Sequence, residues 1–203
     1  IIADLYRIIG SIICHQLPSR TLHIKGTPLP LCARDTGIYT GFFISLVYIY
    51  LNKRNKADLP PNIKNTVFLC FLMLFMIIDG GTSYMGIRET SNVLRYFSGA
   101  FFGLALPFFL VPVANYKQEA VNTNISLKST LEIILLLIVN IAIGLLILKT
   151  ETISWFLIST IIIGTLIYVI GRIVFIICKR MGLLKNHNSA VLVAGGTIGV
   201  LII

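Results

Sequence analysis

Runs of about twenty apolar residues recur along the chain, and they constrain its fold more than any other feature. A helix of about twenty residues crosses the ~30 Å hydrocarbon core of a bilayer. The chain is 56% hydrophobic and 12% charged, a balance that a soluble domain does not have. The sequence therefore predicts an all-α polytopic membrane helix bundle, with residues 1–203 forming a single integral membrane domain.

Five or six transmembrane helices are predicted from these runs. In chain order they are Thr36 to Leu51, Thr66 to Ile78, Asn92 to Val113, Leu131 to Leu148, Ile153 to Cys178 and the short Ala190 to Ile203. The second is expected to stop at Asp79-Gly80-Gly81. The opening stretch, Ile1 to Ile13, carries Asp4 and Arg7 among apolar residues at helical spacing, which predicts an N-terminal interfacial helix lying at the membrane surface or against the bundle.

The basic residues indicate orientation rather than a nucleic-acid partner. The net charge is +9, but the bases are scattered over short loops without a basic stripe among stacking aromatics. One side of the membrane receives Lys53, Arg54, Lys56, Lys64, Lys117, Lys128, Lys179, Arg180 and Lys185. The positive-inside rule makes this side cytoplasmic, so the opposite ends of the spans are expected on the extracytoplasmic face of the cell membrane.

Chemically reactive side chains gather where the chain enters the first span. A CHQLPSR segment (Cys14 to Arg20) is followed by LCARDTGIY (Leu31 to Tyr39). Ionisable residues at such a boundary are costly and usually mark a functional site. Because the spans alternate in direction, the second span's end and the turn before the third meet this cluster. The predicted outer pocket comprises Cys14, His15, Arg20, Cys32, Arg34, Asp35, Asp79, Ser91, Asn92 and Arg95.

A site for zinc or another divalent metal is predicted within this pocket. Cys14, His15, Cys32 and Asp35 supply the thiolate, imidazole and carboxylate groups that zinc prefers. Cys32 and Asp35 face the same way if a helix begins between them. The spacing is not a repeated C-x-x-C pair, so two alternatives stay open. One is a Cys14–Cys32 disulfide on an oxidising face. The other is a hydrogen-bonded network of His15, Asp35 and Asp79 that fixes helix ends.

Asp79 and Asp35 are the predicted catalytic residues, with Asp79 as a general base beside the metal or as a further ligand. A carboxylate at a helix end gains little from the helix dipole. We therefore expect Asp79→Asn to spare the fold and abolish function.

Arginine guanidinium groups in the same cluster, each with several N–H donors, indicate an anionic substrate. Arg20, Arg34 and Arg95, with Ser91 and Asn92 at a helix start, form a surface suited to phosphate. At a membrane boundary this predicts a lipid-linked or isoprenoid phosphate, with the membrane lipid as partner. The alternative is that these arginines neutralise nearby carboxylates, including Glu89, or contact ordinary lipid phosphates.

Three pairs of glycines spaced four apart predict close helix packing. The pairs are Gly37/Gly41, Gly99/Gly103 and Gly195/Gly199. Small residues let membrane helices approach closely where lipid removes the hydrophobic drive to associate. Packing between the first and third spans would hold the two halves of the polar cluster together.

The cluster resembles a family of small archaeal and bacterial multi-span proteins, the domain of unknown function 2085. The resembling positions, within about residues 10 to 105, are Cys14-His15-Gln16 with Arg20, Cys32 to Tyr39, Asp79-Gly80, Ser91-Asn92 with Arg95, and Gly99 with Gly103. Asp35 stands where many members carry cysteine, and this exchange keeps a metal ligand. The resemblance implies a membrane protein with a shared outer-face site and supplies no activity.

Three classes of function fit these features. The favoured one is a metal-dependent hydrolase or transferase acting on a lipid-linked or isoprenoid phosphate at the outer membrane face. The second is a transporter or channel with a polar outer vestibule, although few ionisable residues occur deep in the spans, as a proton relay would need. The third is a structural subunit of an oligomer or larger membrane complex.

Overall fold

The computed structural model describes residues 2–116, 121–149 and 153–181, and this part of the chain is mostly helical. Its elements, in order, are α1 (Ile2–Ser11), a 3-10 turn (Pro18–Arg20), β1 (Thr21–Ile24), β2 (Thr27–Cys32), α2 (Ala33–Leu51), α3 (Ile63–Tyr84), α4 (Asn92–Ala105), α5 (Pro107–Asn115), α6 (Thr130–Lys149) and α7 (Trp155–Arg180).

Four helical stretches are long and apolar enough to cross a membrane. They are Ile63–Tyr84, Asn92–Asn115, Thr130–Lys149 and Trp155–Cys178, and the second comprises α4 and α5. α2 is not among them, because Arg34 and Asp35 in its first turn reduce its apolarity. The fold class is confirmed, whereas the count of five or six spans is not. The predicted span from Ala190 to Ile203 lies outside the described residues.

α2 lies inside the bundle and packs most extensively on α4, with further contacts to α5, α6 and α7. A Cβ on Gly37 or Gly41 of α2 would overlap a backbone carbonyl of α4, and one on Gly99 or Gly103 would overlap a carbonyl of α2. The predicted close packing of these two helices is therefore confirmed. Gly195 and Gly199 lie outside the described residues.

α3 extends beyond its predicted end. It runs from Ile63 to Tyr84, so Asp79, Gly80 and Gly81 are helical and the predicted stop at these residues is wrong. The helix continues because glycine is tolerated in a helix at ~1 kcal/mol, and because Asp79 is paired, as described below. Among the helices that the structure describes, α3 packs mainly on α4, which leaves much of its surface exposed.

A two-stranded antiparallel hairpin, β1–β2, interrupts the otherwise helical chain and was not predicted. Its turn places Lys25 (φ 51°) and Gly26 (φ 76°) in the left-handed region, as a tight two-residue hairpin turn requires. Leu29 and Leu31 of β2 are fully buried, and the Trp155 indole Nε1 donates to the Pro28 carbonyl at 3.0 Å. The hairpin is thus part of the core at one end of the bundle.

The N-terminal helix forms as predicted and packs against α7. The Tyr6 hydroxyl lies 2.9 Å from the Thr160 hydroxyl, and its ring stacks on those of Trp155 and Phe156. Buried Ile9 packs with Ile163 and Leu166 of α7. Of the two predicted placements, the structure favours the one against the bundle.

The two ends of the bundle differ in chemistry. The hairpin, the start of α2, the end of α3 and the start of α4 meet at one end. At the other end, Arg54 makes a two-pronged ion pair with Glu132 at 2.6 and 3.0 Å, and Asn115 donates to the Ala57 carbonyl. The predicted alternation of the helices is therefore confirmed, and the assignment of the hairpin end to the extracytoplasmic side stays a prediction.

Candidate functional site

A cavity of about 700 Å³ opens at the hairpin end of the bundle. This volume falls in the range of small-molecule sites. Of the residues predicted to converge, those that line it are Cys14, His15, Arg20, Cys32, Arg34, Asp35 and Arg95. The structure thus brings most of the predicted pocket together from the segment after α1, the hairpin, α2 and α4.

The two thiols and one carboxylate form a compact group. One ligand atom from each of Cys14, Cys32 and Asp35 lies within 4.8 Å of the others. The Cys32 backbone N–H donates to Cys14 Sγ at 3.2 Å, and the Cys32 thiol donates to Asp35 Oδ2 at 3.1 Å. Cys32 ends β2 and is the N-cap residue of α2, so Asp35 follows one helical turn later on the same face.

The pKa values of the two thiols are shifted in opposite directions. The neighbouring Cys32 side chain lowers the pKa of Cys14, against the opposing effect of burial, and hydrogen bonds from backbone amides add to the lowering. The same contact with Cys14 raises the pKa of Cys32, and burial and the nearby Asp35 carboxylate raise it further. Cys14 is therefore the thiol that carries negative charge more readily, as a metal ligand or nucleophile must.

His15 does not join this group. It lines the cavity, but its side chain is exposed and its ring nitrogens lie outside the cluster of converging ligand atoms. Three of the four predicted ligands are therefore close together and one is apart, because adjacent residues point in different directions. Both Cys14 and Cys32 are free thiols in the structure.

Gln16 holds the Cys14 segment in place, a role that the sequence analysis did not identify. Its backbone has a positive φ of 50°. Its side-chain Nε2 donates to the Arg7 carbonyl at 2.7 Å and to the Pro30 carbonyl at 2.8 Å. The Gln16 amide therefore links α1 to β2, the strand that ends at Cys32.

Asp79 is buried and paired on both carboxylate oxygens. Arg34 Nη2 donates to Oδ2 and Arg88 Nη2 to Oδ1, each at 2.7 Å, and the Ser98 hydroxyl donates to Oδ2 at 3.0 Å. The carboxylate is 1% exposed and does not line the cavity. Its expected position at a helix end is wrong, and its geometry favours a positioning role over a general base.

The start of α4 also has a positioning role. The Ser91 hydroxyl caps the helix by accepting from the Leu94 N–H at 3.3 Å. The Asn92 side chain donates to the Ser19 carbonyl at 3.1 Å and accepts from Arg95 Nη1 at 3.0 Å. Neither residue lines the cavity, so of the three predicted substrate-binding residues on α4 only Arg95 reaches it.

Cationic groups outnumber carboxylates around the cavity. Arg20, Arg34 and Arg95 line it, and Arg88 lies behind Arg34 on the shared Asp79. With Asp35 and Asp79 as the carboxylates, these six side chains have a net formal charge of +2. Arg34 Nε is buried without a hydrogen-bond partner among the described residues. The arrangement attracts anions and has a donor to offer them.

Part of the cavity lining is an apolar wall on α3, and sequence reasoning missed it. It consists of Met76, Ile77, Gly80, Gly81 and Tyr84. The short predicted second span ended before most of these residues, which concealed that they share one helical face. The cavity is therefore lined by cationic side chains and thiols together with an apolar helix face.

Comparisons with known proteins cover the site region. A family model described as predicted membrane protein (DUF2085) matches residues 14–109. An uncharacterized protein of Methanocaldococcus jannaschii is 35% identical over 104 residues, which are 51% of this chain and 64% of the relative. An uncharacterized protein of Methanothermobacter thermautotrophicus is 39% identical over 96 residues, 46% of this chain and 80% of the relative. The chain thus spans less than two thirds of the first relative, and no solved structure matches it.

Proposed function

The chain belongs to the membrane protein family described as domain of unknown function 2085, and from its site chemistry we propose that it is a membrane-embedded metal-dependent enzyme. Its proposed substrate is a lipid-linked or isoprenoid phosphate, which it hydrolyses or transfers at the extracytoplasmic face. One observation carries this proposal: the Cys14–Cys32–Asp35 group and three arginines share one cavity with an apolar wall.

The donor set suits a divalent metal such as zinc. In a tetrahedral site two sulfur ligands at ~2.3 Å from the zinc ion lie about 3.8 Å apart, so a group within 4.8 Å must draw together by at most about 1 Å to bind. Three protein ligands leave a fourth position open for water or substrate, as in catalytic zinc sites. If His15 turned to fill that position, the site would be a closed four-ligand site of the structural kind. When bound, such a metal polarises a phosphoryl oxygen and lowers the pKa of bound water.

The arginines suit the phosphate. Arg34 is held by Asp79 and Arg95 by Asn92, so both guanidinium groups are fixed before a ligand arrives. A guanidinium group held in place can donate two parallel hydrogen bonds to a pair of phosphate oxygens. It loses less conformational entropy on binding than a flexible lysine. The apolar wall on α3 suits the hydrocarbon part of the same molecule. A soluble phosphate would leave that wall without a partner.

The metal is the first test. We expect reduced, purified protein to hold close to one zinc or similar divalent ion per chain, and Cys32→Ser to lose most of it. Cys70→Ser is the matched control, because Cys70 is exposed on α3 outside the cavity. Metal content would be measured by elemental analysis, with phosphate release from an isoprenoid phosphate followed before and after chelation.

The outcomes of this test separate the alternatives. His15→Ala loses metal if the imidazole supplies the fourth ligand, as the sequence predicts, and retains it if three ligands suffice. Folded protein that is active without metal would contradict the proposal. A Cys14–Cys32 disulfide found by mass spectrometry in protein purified without reductant would favour the structural alternative.

Arg95→Lys tests the phosphate. The substitution keeps the positive charge but removes the paired N–H donors of the guanidinium. One charge-assisted hydrogen bond is then lost, and such a bond contributes ~1.5–3 kcal/mol. We expect affinity for a polyprenyl phosphate in detergent to fall about tenfold to a hundredfold. Arg7→Lys, on exposed α1, should leave it unchanged. Equal binding of the phosphorylated and dephosphorylated lipid by the parent protein would reject a phosphate substrate.

A further inference from the structure

The apolar wall of the cavity is one continuous face of α3. Met76, Gly80 and Tyr84 are spaced four residues apart, as are Ile77 and Gly81, so all five line one side of the helix. Arg20, Arg34 and Arg95 line the same cavity, and the Arg34 guanidinium lies beside Gly80, 3.8 Å from where a Cβ there would be. A cavity that combines cationic side chains with an apolar helix face fits an amphiphile with an anionic end and a hydrocarbon chain.

The two glycines of this face are not required for helix packing. A Cβ added to Gly81 would meet no heavy atom of the described residues within 4 Å, and one on Gly80 would meet only the Arg34 guanidinium at 3.8 Å. By contrast, a Cβ on Gly99 or Gly103 would overlap the backbone of α2. Glycine inside a helix costs ~1 kcal/mol relative to alanine, and no packing contact with the described residues offsets that cost here. Because Gly80 and Gly81 have no side chain, they leave free space in the cavity wall.

This face leads from the cavity to the outer surface of the bundle. Ile77 and Tyr84 both line the cavity and are 57% and 76% exposed. Ile13 and Leu17, at the cavity's edge on the segment after α1, are also about half exposed. α3 is one of the helices long and apolar enough to span the membrane, so we expect the apolar surface that the described residues leave exposed on it to face lipid. On this expectation the apolar side of the cavity leads toward the hydrocarbon of the bilayer.

We propose that Gly80 and Gly81 form the binding path for the hydrocarbon chain of the ligand, which leaves the cavity across α3 into the membrane. The head group stays against the arginines while the chain crosses the two glycines between Met76 and Tyr84. The identity of the head group rests on the function proposed above, whereas the path of the chain rests on the geometry of α3.

The experiment fills this path without disturbing the fold. Gly81→Leu places a side chain in open space, and Gly164→Leu makes the same change on α7, where a Cβ also meets no described atom within 4 Å. Binding of three probes to the full chain in detergent would be compared: a long-chain polyprenyl phosphate, the matching polyprenyl alcohol and inorganic phosphate. Thermal unfolding would confirm that both variants are folded.

We expect Gly81→Leu to weaken binding of the long-chain phosphate about tenfold or more, to leave inorganic phosphate within about twofold, and to unfold at or above the parent's temperature. Gly164→Leu should leave the binding of all three probes unchanged and should also unfold at or above the parent's temperature. Unchanged long-chain binding, equal weakening of both phosphates, or a parent that binds no polyprenyl lipid would overturn the path. If the parent binds the alcohol as tightly as the phosphate, and Gly81→Leu weakens both, the path holds and the phosphate-directed function fails.

Discussion

Replacing Asp79 with asparagine is expected to destabilise the protein strongly and to reduce its accumulation in the membrane. The substitution leaves Arg34 and Arg88 without their shared carboxylate, and the Arg34 side chain is only 15% exposed. Removing one partner of a buried ion pair typically costs ~3–5 kcal/mol, because a charge remains buried without compensation. The measurement is thermal unfolding in detergent, together with the amount of protein recovered from membranes.

Glu89→Gln is the control for this experiment, because Glu89 is an exposed carboxylate next to Arg88 in the segment between α3 and α4. It should leave both readouts unchanged. If Asp79→Asn instead accumulates and unfolds like the parent while losing activity, the catalytic role predicted from the sequence is correct and the positioning role is wrong.

Replacing Gly103 with alanine is expected to push α2 and α4 apart. The added methyl group would overlap the Ile38 carbonyl of α2, and a backbone carbonyl cannot rotate away as a side chain can. Overpacking of this kind costs ~1–3 kcal/mol and more where backbone must move. The site should loosen as well, because Arg34 lies one turn before Ile38 on α2 and reaches across to Asp79.

Gly164→Ala is the control, and its expected effect on stability is opposite to that of Gly103→Ala. A Cβ at this position of α7 meets no described atom within 4 Å, so alanine should gain up to ~1 kcal/mol from its better helix propensity. The temperature of unfolding is therefore expected to fall for Gly103→Ala and to stay level or rise for Gly164→Ala. Similar shifts in both variants would mean that close α2–α4 contact contributes little to stability.

Sequence reasoning was most successful where one local pattern determines one contact. Cys32 and Asp35 face the same way because a helix starts at residue 33, and the Gly37/Gly41 and Gly99/Gly103 pairs meet because small residues alone permit that approach. The alternating direction of apolar runs was enough to bring residues from α2, α3 and α4 to one end.

Sequence reasoning failed where the environment of a residue depends on partners that are distant in the sequence. Asp79 followed by two glycines has the composition of a helix end, yet Arg34, Arg88 and Ser98 stabilise it inside the helix. Arg88 lies in the segment between α3 and α4, and nothing in the sequence of that segment points to Asp79. The hairpin was missed because its Lys25-Gly26 turn lacks the usual Asn-Gly or Asp-Gly signal.

The central position of α2 has a consequence for biogenesis. Helices enter the membrane through a translocon that assesses apolarity, and charged residues such as Arg34 and Asp35 penalise insertion by up to ~2.5–3.5 kcal/mol each at the helix centre and by less toward the ends. α2 precedes in synthesis the helix it packs on most closely, since α4 begins only at Asn92. We therefore expect stable integration of α2 to await later parts of the chain, in particular Asp79, which neutralises Arg34, and the glycines of α4. On this expectation, assembly of the site and insertion of α2 occur together, and a chain truncated before residue 92 does not retain α2 in the bilayer.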